Sequence, residues 1–116
     1  MYYLKKEVTI AGAHSLNLNY DSPCTNLHGH NWRIIVYLQA DKLNENGMVT
    51  DFSWIKEIVK SLDHKNLNSI IPQPTAENIA FYICNKINDN VGLKAVCTKV
   101  KVIESDGSEA IYEEDI

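Results

Sequence analysis

The sequence predicts an α+β domain in which two helices cover one face of a four-stranded antiparallel sheet. Three observations predict it. Two long segments, 2–14 and 31–40, alternate apolar and polar residues with a period of two. Segment 95–104 alternates again near the C-terminus and 109–114 forms a final short strand, and between the two pairs lie two stretches with apolar residues at helical spacing. The order is therefore ββααββ, and 116 residues suffice for a single domain over 1–116 with one core.

In the first strand Tyr2, Leu4, Val8, Ile10 and Gly12 share a face, with Lys5, Glu7 and Thr9 opposite. Residues 15–27 hold Asn, Asp, Ser and Pro23 and read as a loop. In the second strand Trp32, Ile34, Val36, Leu38 and Ala40 are in phase; Asn31, Arg33, Tyr37 and Gln39 oppose them. Asn44 to Gly47 marks a turn. Asp51 can cap a helix in which Phe52, Ile55, Ile58, Val59 and Leu62 recur at helical spacing, and Asp63-His64 ends it. A connector closed by Pro72 and Pro74 follows. Thr75 suits the next N-cap, and Glu77 suits the positive end of that helix. Its apolar face is Ala76, Ile79, Ala80, Ile83, Cys84 and Ile87, and it stops by Gly92. In the third strand Val96, Val100 and Val102 face one way, and Lys99 and Lys101 the other. Ser105-Asp106-Gly107-Ser108 is a hairpin turn leading to the last strand.

The composition excludes several classes. A net charge of −4 with no dense Lys/Arg stripe argues against nucleic acid as a partner. The apolar run Ile34 to Leu38 is too short to span a bilayer, so no membrane partner is expected. The N-terminus has no apolar signal-peptide core, and three cysteines suggest no disulfide framework; a reducing cytoplasm is the expected compartment.

The chemistry concentrates in residues 24–30, Cys-Thr-Asn-Leu-His-Gly-His. All four histidines of the chain fall in one set: His14, His28, His30 and His64. His14 continues the apolar face of the first strand. His28 and His30 are in phase with Trp32 if the second strand starts that early, and Gly29 between them allows close approach or a bend. Three neutral imidazoles suit Zn²⁺ and leave the fourth position open, as in catalytic zinc sites. An isolated His-x-His is as readily a surface accident; His14 in phase and Cys24 nearby favour the metal. Cys24 follows Pro23 in a polar loop and is an accessible thiol, whereas Cys84 and Cys97 read as small buried hydrophobes. Asp63 can hold the His64 imidazole in one tautomer, although a His at a helix C-terminus also has a plain dipole explanation. Glu104 continues the third strand's apolar face, and a carboxylate there suits a flat ring edge with two parallel N–H donors, such as an aminopyrimidinone. Lys5, Arg33, Lys99 and Lys101 form a solvated sheet face, or a positive surface toward a phosphorylated ligand or an oligomer interior.

Taken together, Cys-x-x-x-His-Gly-His, the upstream strand-end His, Asp-His after the first helix, Pro-Thr-x-Glu-Asn before the second and the late strand Glu resemble the 6-pyruvoyltetrahydropterin synthase superfamily. The Cys24–His28 spacing and the short length are most similar to its queuosine-pathway branch, the 6-carboxytetrahydropterin synthases. The resemblance implies a tunnelling fold (T-fold) and a homo-oligomer, a trimer or a hexamer of two stacked trimers, with active sites at subunit interfaces. It implies Zn²⁺ on His14, His28 and His30, Cys24 as catalytic base, Asp63 and His64 as relay, and Glu104 as pterin anchor. Asp51, Thr75 and Glu77 lie in segments that match the family near the pterin pocket. The substrate implied is a small-molecule pterin triphosphate, 7,8-dihydroneopterin triphosphate. The products implied are 6-carboxytetrahydropterin, acetaldehyde and triphosphate. A sister activity keeps the three-carbon side chain and yields 6-pyruvoyltetrahydropterin; a non-catalytic zinc or pterin binder is a third reading. The chain departs from relatives at Ile10-Ala11-Gly12-Ala13 and lacks basic residues between Cys24 and His28, while Cys24 argues against a subgroup that carries glutamate there.

Overall fold

The computed structural model describes residues 1–91 and 94–115. Two strands of 13 residues each, β1 (Tyr2–His14) and β2 (His28–Ala40), form the spine of the fold. Both are more than twice the usual length of ~5–6 residues. They pair antiparallel without interruption, from Tyr2 opposite Ala40 to His14 opposite His28. β2 thus starts three residues earlier than the apolar alternation alone indicates. That early start puts two histidines into the sheet and matches even-numbered residues of one strand to even-numbered residues of the other.

Helix α1 (Phe52–Lys60) begins where the Asp51 carboxylate accepts the Ser53 N–H at 2.8 Å. It buries Ile55 and Val59, one turn apart, against the sheet; each fully buried aliphatic side chain stabilises by roughly 1.5–3 kcal/mol. It ends three residues before Asp63, so Asp63-His64 lies in the turn beyond the helix. That turn delivers a two-residue strand, β3 (Lys65–Asn66), which pairs parallel with Gly12 and Ala13. Helix α2 (Ala76–Asn88) starts at Thr75, whose hydroxyl accepts from the Asn78 N–H at 3.1 Å, and it buries Ile79, Ala80, Ile83, Cys84 and Ile87. It ends at Asn88, before Gly92, which itself lies outside the described residues. Strands β4 (Ala95–Ser105) and β5 (Ser108–Glu113) complete the sheet around a turn in which Gly107 has φ +85°.

The sheet order is β3-β1-β2-β4-β5, five strands rather than four, and mixed rather than wholly antiparallel because β3 runs parallel to β1. The helices cover one face. α2 packs over β4 and β5 and α1 over β1, with the two helices touching. The register of β2 on β4 shifts between Tyr37 and Leu38, so that Tyr37 faces Lys99 but Leu38 faces Cys97. This bulge reverses the phase of β4 at its start. Cys97, not Val96, therefore joins Val100 and Val102 in the core, fully buried. The opposite sheet face carries Lys5, Arg33, Lys99 and Lys101, and no helix among the described residues covers it. No helix among the described residues is long and apolar enough to cross a membrane.

Candidate metal centre

The β1–β2 register places His14 directly across from His28, and His30 across from Gly12 on the same face. Cross-strand partners stand about 5 Å apart at Cβ, so three imidazoles must meet at this end of the hairpin. Their ring centroids lie 4.6 Å (His14–His28), 5.3 Å (His14–His30) and 4.9 Å (His28–His30) apart. One ligand atom from each lies within 4.8 Å of the others, and the trio can hold a metal ion.

The hydrogen-bond pattern tests the fit. His14 Nδ1 faces the Pro74 carbonyl at 2.7 Å, and His28 Nδ1 faces the Asn26 carbonyl at 2.6 Å. A carbonyl oxygen only accepts, so both rings carry their hydrogen on Nδ1 and present a bare Nε2. Those two Nε2 atoms face each other at 3.1 Å. Two lone pairs so placed repel unless a cation sits between them. His30 Nε2 is likewise buried, with no hydrogen-bond partner. Carbonyls that orient ligating imidazoles from behind are the usual outer support of such centres. The donor set, all nitrogen and neutral, suits a borderline cation such as Zn²⁺.

Trp32 forms the floor. Its ring meets His14 at 4.9 Å and His30 at 5.0 Å, both edge-on, and its indole N–H donates to the Gly12 carbonyl at 3.0 Å. Sequence reasoning assigned Trp32 only to the core; its position two residues after His30 on the same face was the available signal. Gly29 has no spatial need to be glycine within one chain: a Cβ there would meet nothing closer than the Gly12 carbonyl at 3.7 Å. At Gly12 a Cβ would come within 3.2 Å of the Leu67 side chain, which would have to give by a few tenths of an ångström.

Glu104 Oε1 stands 3.4 Å from both His14 Nε2 and His30 Nε2, so the strand phase that predicted an inward carboxylate holds. Desolvation is the main cause that holds the His30 imidazole below its ordinary value of 6.5; Glu104 opposes the shift, while His14 and His28 add to it. The unfolded chain then binds this proton at a higher pH than the folded chain does. Below about pH 6.5 the unfolded state holds more protons, and stability falls as pH falls. The thermal midpoint of metal-free protein should therefore drop between about pH 7 and 5.5, and drop less in His30→Ala. Equal slopes in the two proteins would exclude this cause.

The remaining site residues fall into two groups. Asp63 Oδ1 accepts the Ala11 N–H at 2.8 Å, and its Oδ2 lies 3.1 Å from His64 Nδ1. The Ala11 hydrogen bond, more than the neighbouring His64 and Lys60, keeps the Asp63 carboxyl below its usual range. His64 is held at φ +58°, a left-handed conformation uncommon for a non-glycine residue, and its own N–H donates to the Ala11 carbonyl at 2.7 Å. The pair is thus bolted to β1. His64 is highly exposed and opens onto a cleft of about 540 Å³ that Gly12, Gly29, His30 and Asn31 also line. Cys24 sits apart from that cleft, in a single turn of 3₁₀ helix, Pro23–Thr25. It is half-buried, its N–H donates to Ser22 Oγ at 3.2 Å, and its carbonyl accepts the Leu16 N–H at 2.8 Å. Its sulfur belongs neither to the imidazole cluster nor to any hydrogen bond among the described residues. The chain therefore brings His14, His28, His30 and Glu104 together, pairs Asp63 with His64, and leaves Cys24 on its own loop. The oxygens of Asp51 and Thr75 cap helices, and Glu77 is exposed in the first turn of α2.

A sheet that ends in three imidazoles, two of them oriented by backbone carbonyls, with a carboxylate beside them, forms a candidate metal centre in an α+β fold. The family model described as 6-pyruvoyl tetrahydropterin synthase matches residues 3–115. The chain belongs to that family. It is 37% identical to the 6-carboxy-5,6,7,8-tetrahydropterin synthase of Synechocystis sp., over 97% of this chain and 93% of that protein. A relative from Pyrococcus abyssi is 35% identical over 86% of this chain, and the match spans 60% of the relative's length. The structure superposes on Caenorhabditis elegans 6-pyruvoyl tetrahydropterin synthase with a TM-score of 0.79 at 24% identity, covering 98% of this chain and 96% of that one.

Proposed function

We propose that the protein is a zinc-dependent carbon–carbon lyase, a 6-carboxy-5,6,7,8-tetrahydropterin synthase. It would convert 7,8-dihydroneopterin triphosphate to 6-carboxytetrahydropterin, acetaldehyde and triphosphate, in the cytoplasm, as a step toward 7-deazaguanine. The observation that carries this choice is the near-full-length match to the Synechocystis enzyme, in a chain whose three imidazoles converge on one point.

His14, His28 and His30 would hold the zinc. When bound, it would supply Lewis-acid polarisation of the substrate's side-chain hydroxyls. Glu104 receives the aminopyrimidinone edge of the pterin through two parallel N–H donors, which orients the side chain toward the imidazoles. Cys24 Sγ takes a side-chain proton as general base. His64 Nε2 carries protons to and from the side chain, while Asp63 holds the Nδ1 hydrogen and so fixes the tautomer. Asp51, Thr75 and Glu77 are assigned to the pterin side of the pocket; Thr75, the N-cap of α2, directly follows Pro74, the residue that orients His14. Cys24 and the Asp63–His64 pair occupy different places in one chain, which supports a trimer or hexamer whose sites form between subunits.

The family's other activity, triphosphate elimination with the three-carbon side chain retained, uses the same groups. Incubation with 7,8-dihydroneopterin triphosphate separates the two. Acetaldehyde should appear in step with triphosphate; triphosphate released without acetaldehyde would assign the sister activity instead.

A further inference from the structure

β1 ends at His14, yet its hydrogen-bond ladder continues. The Ser15 N–H donates to Asn68 Oδ1 at 2.8 Å, and Asn68 Nδ2 donates back to the Ser15 carbonyl at 2.8 Å. Two residues on, the Asn17 N–H donates to Gln73 Oε1 at 3.0 Å, and Gln73 Nε2 donates to the Asn17 carbonyl at 3.0 Å. Each side-chain amide thus exchanges two bonds with one backbone residue, as a neighbouring strand would. Leu16, between them, turns its N–H the other way, onto the Cys24 carbonyl at 2.8 Å. The two amides take over where β3, paired with Gly12 and Ala13, runs out.

The backbone of each of these residues is itself held. The Asn68 N–H donates to Asn66 Oδ1 at 3.1 Å, and the Gln73 carbonyl accepts from Asn78 Nδ2 at 2.8 Å. Pro74, next to Gln73, orients His14. Only a primary carboxamide offers an acceptor and a two-hydrogen donor on one uncharged planar group. Neither an ionised Asp or Glu nor an apolar isostere can make both bonds.

We propose that Asn68 and Gln73 are positioning residues. Together they hold Ser15–Asn17 and, through Leu16, set the place of the Cys24 loop relative to the three imidazoles. The catalytic meaning of this clamp rests on the role proposed for Cys24; the clamp itself does not. Its test reads the loop directly.

Cys84 and Cys97 are fully buried, so iodoacetamide reports on Cys24 in the folded full-length chain. Asn68→Ala and Gln73→Ala should each raise the alkylation rate of Cys24 by about threefold or more, because local opening governs access. Gln73→Met keeps the side-chain bulk and removes both hydrogen bonds; it should show the same rise at an unchanged thermal midpoint, and it stands alone if an alanine variant does not fold. With 7,8-dihydroneopterin triphosphate, kcat should fall by about tenfold while KM stays within about twofold, as expected when a reacting group is displaced rather than binding lost. Alkylation rates equal to wild type, or a rise in the alanine variants that Gln73→Met does not share, would overturn the proposal. A wild-type chain without turnover would overturn the lyase assignment and leave the alkylation result intact.

Discussion

His14→Ala should give a folded chain that retains no zinc through dialysis, where the wild type should keep about one ion per chain. The reason is geometric. Loss of an outer support around a zinc site already costs about 10–100-fold in affinity. His14 is a direct ligand candidate, and its Nε2 lies 3.1 Å from that of His28. Removing it leaves two imidazoles, too few for a closed nitrogen set. His14 is also 1% exposed and packs on Trp32, so the substitution should cost on the order of 1–3 kcal/mol of stability. His28→Ala is the informative companion. His28 is only half-buried, so it should lose zinc equally with a smaller fall in thermal midpoint. Metal content by atomic absorption, read beside a melting curve, separates the two effects. Undiminished zinc in all three single His→Ala variants would remove the centre.

That convergence was legible because it depends on strand phase. His14 extends the Val8–Ile10 face, and His28 and His30 extend the Trp32–Ile34 face; an uninterrupted antiparallel register must then bring them together. Glu104 was legible for the same reason, since it follows Val100 and Val102 at the same parity. The phase argument fails where a bulge intervenes. Val96 was expected in the core, but the shift opposite Tyr37/Leu38 turns it away and puts Cys97 there. A bulge is set by how two strands meet, and neither strand alone records it. β3 was missed because two residues have no period. The end of α1 was placed too late because Leu62, buried at 1%, keeps helical spacing although it sits in the following turn. Pro74, Asn26, Asn68 and Gln73 read as ordinary connector residues. Their work at the site is done by carbonyls and carboxamides, whose partners lie 50 or more residues away in most cases. No local pattern carries that information.

Cys24→Ala should lower turnover by about 10²–10⁴-fold, the range expected for loss of a positioned general base. Two features of the structure make this a clean substitution. The Cys24 sulfur stands outside the imidazole cluster, so zinc content should match the wild type. The bonds that shape its loop run from the Cys24 backbone, to Ser22 Oγ and to the Leu16 N–H, and they survive loss of the side chain. Stability should therefore change by no more than about 0.5 kcal/mol. A fall in kcat with metal and fold intact isolates the chemistry of one sulfur atom, which neither His14→Ala nor a destabilised variant can do. Cys24→Ser sharpens the result. A hydroxyl fills the same space but is a far weaker proton acceptor near neutrality, so it should recover little of the lost rate. Were Cys24→Ala to turn over as fast as the wild type, the base would have to be sought among the groups lining the His30 cleft, with His64 first.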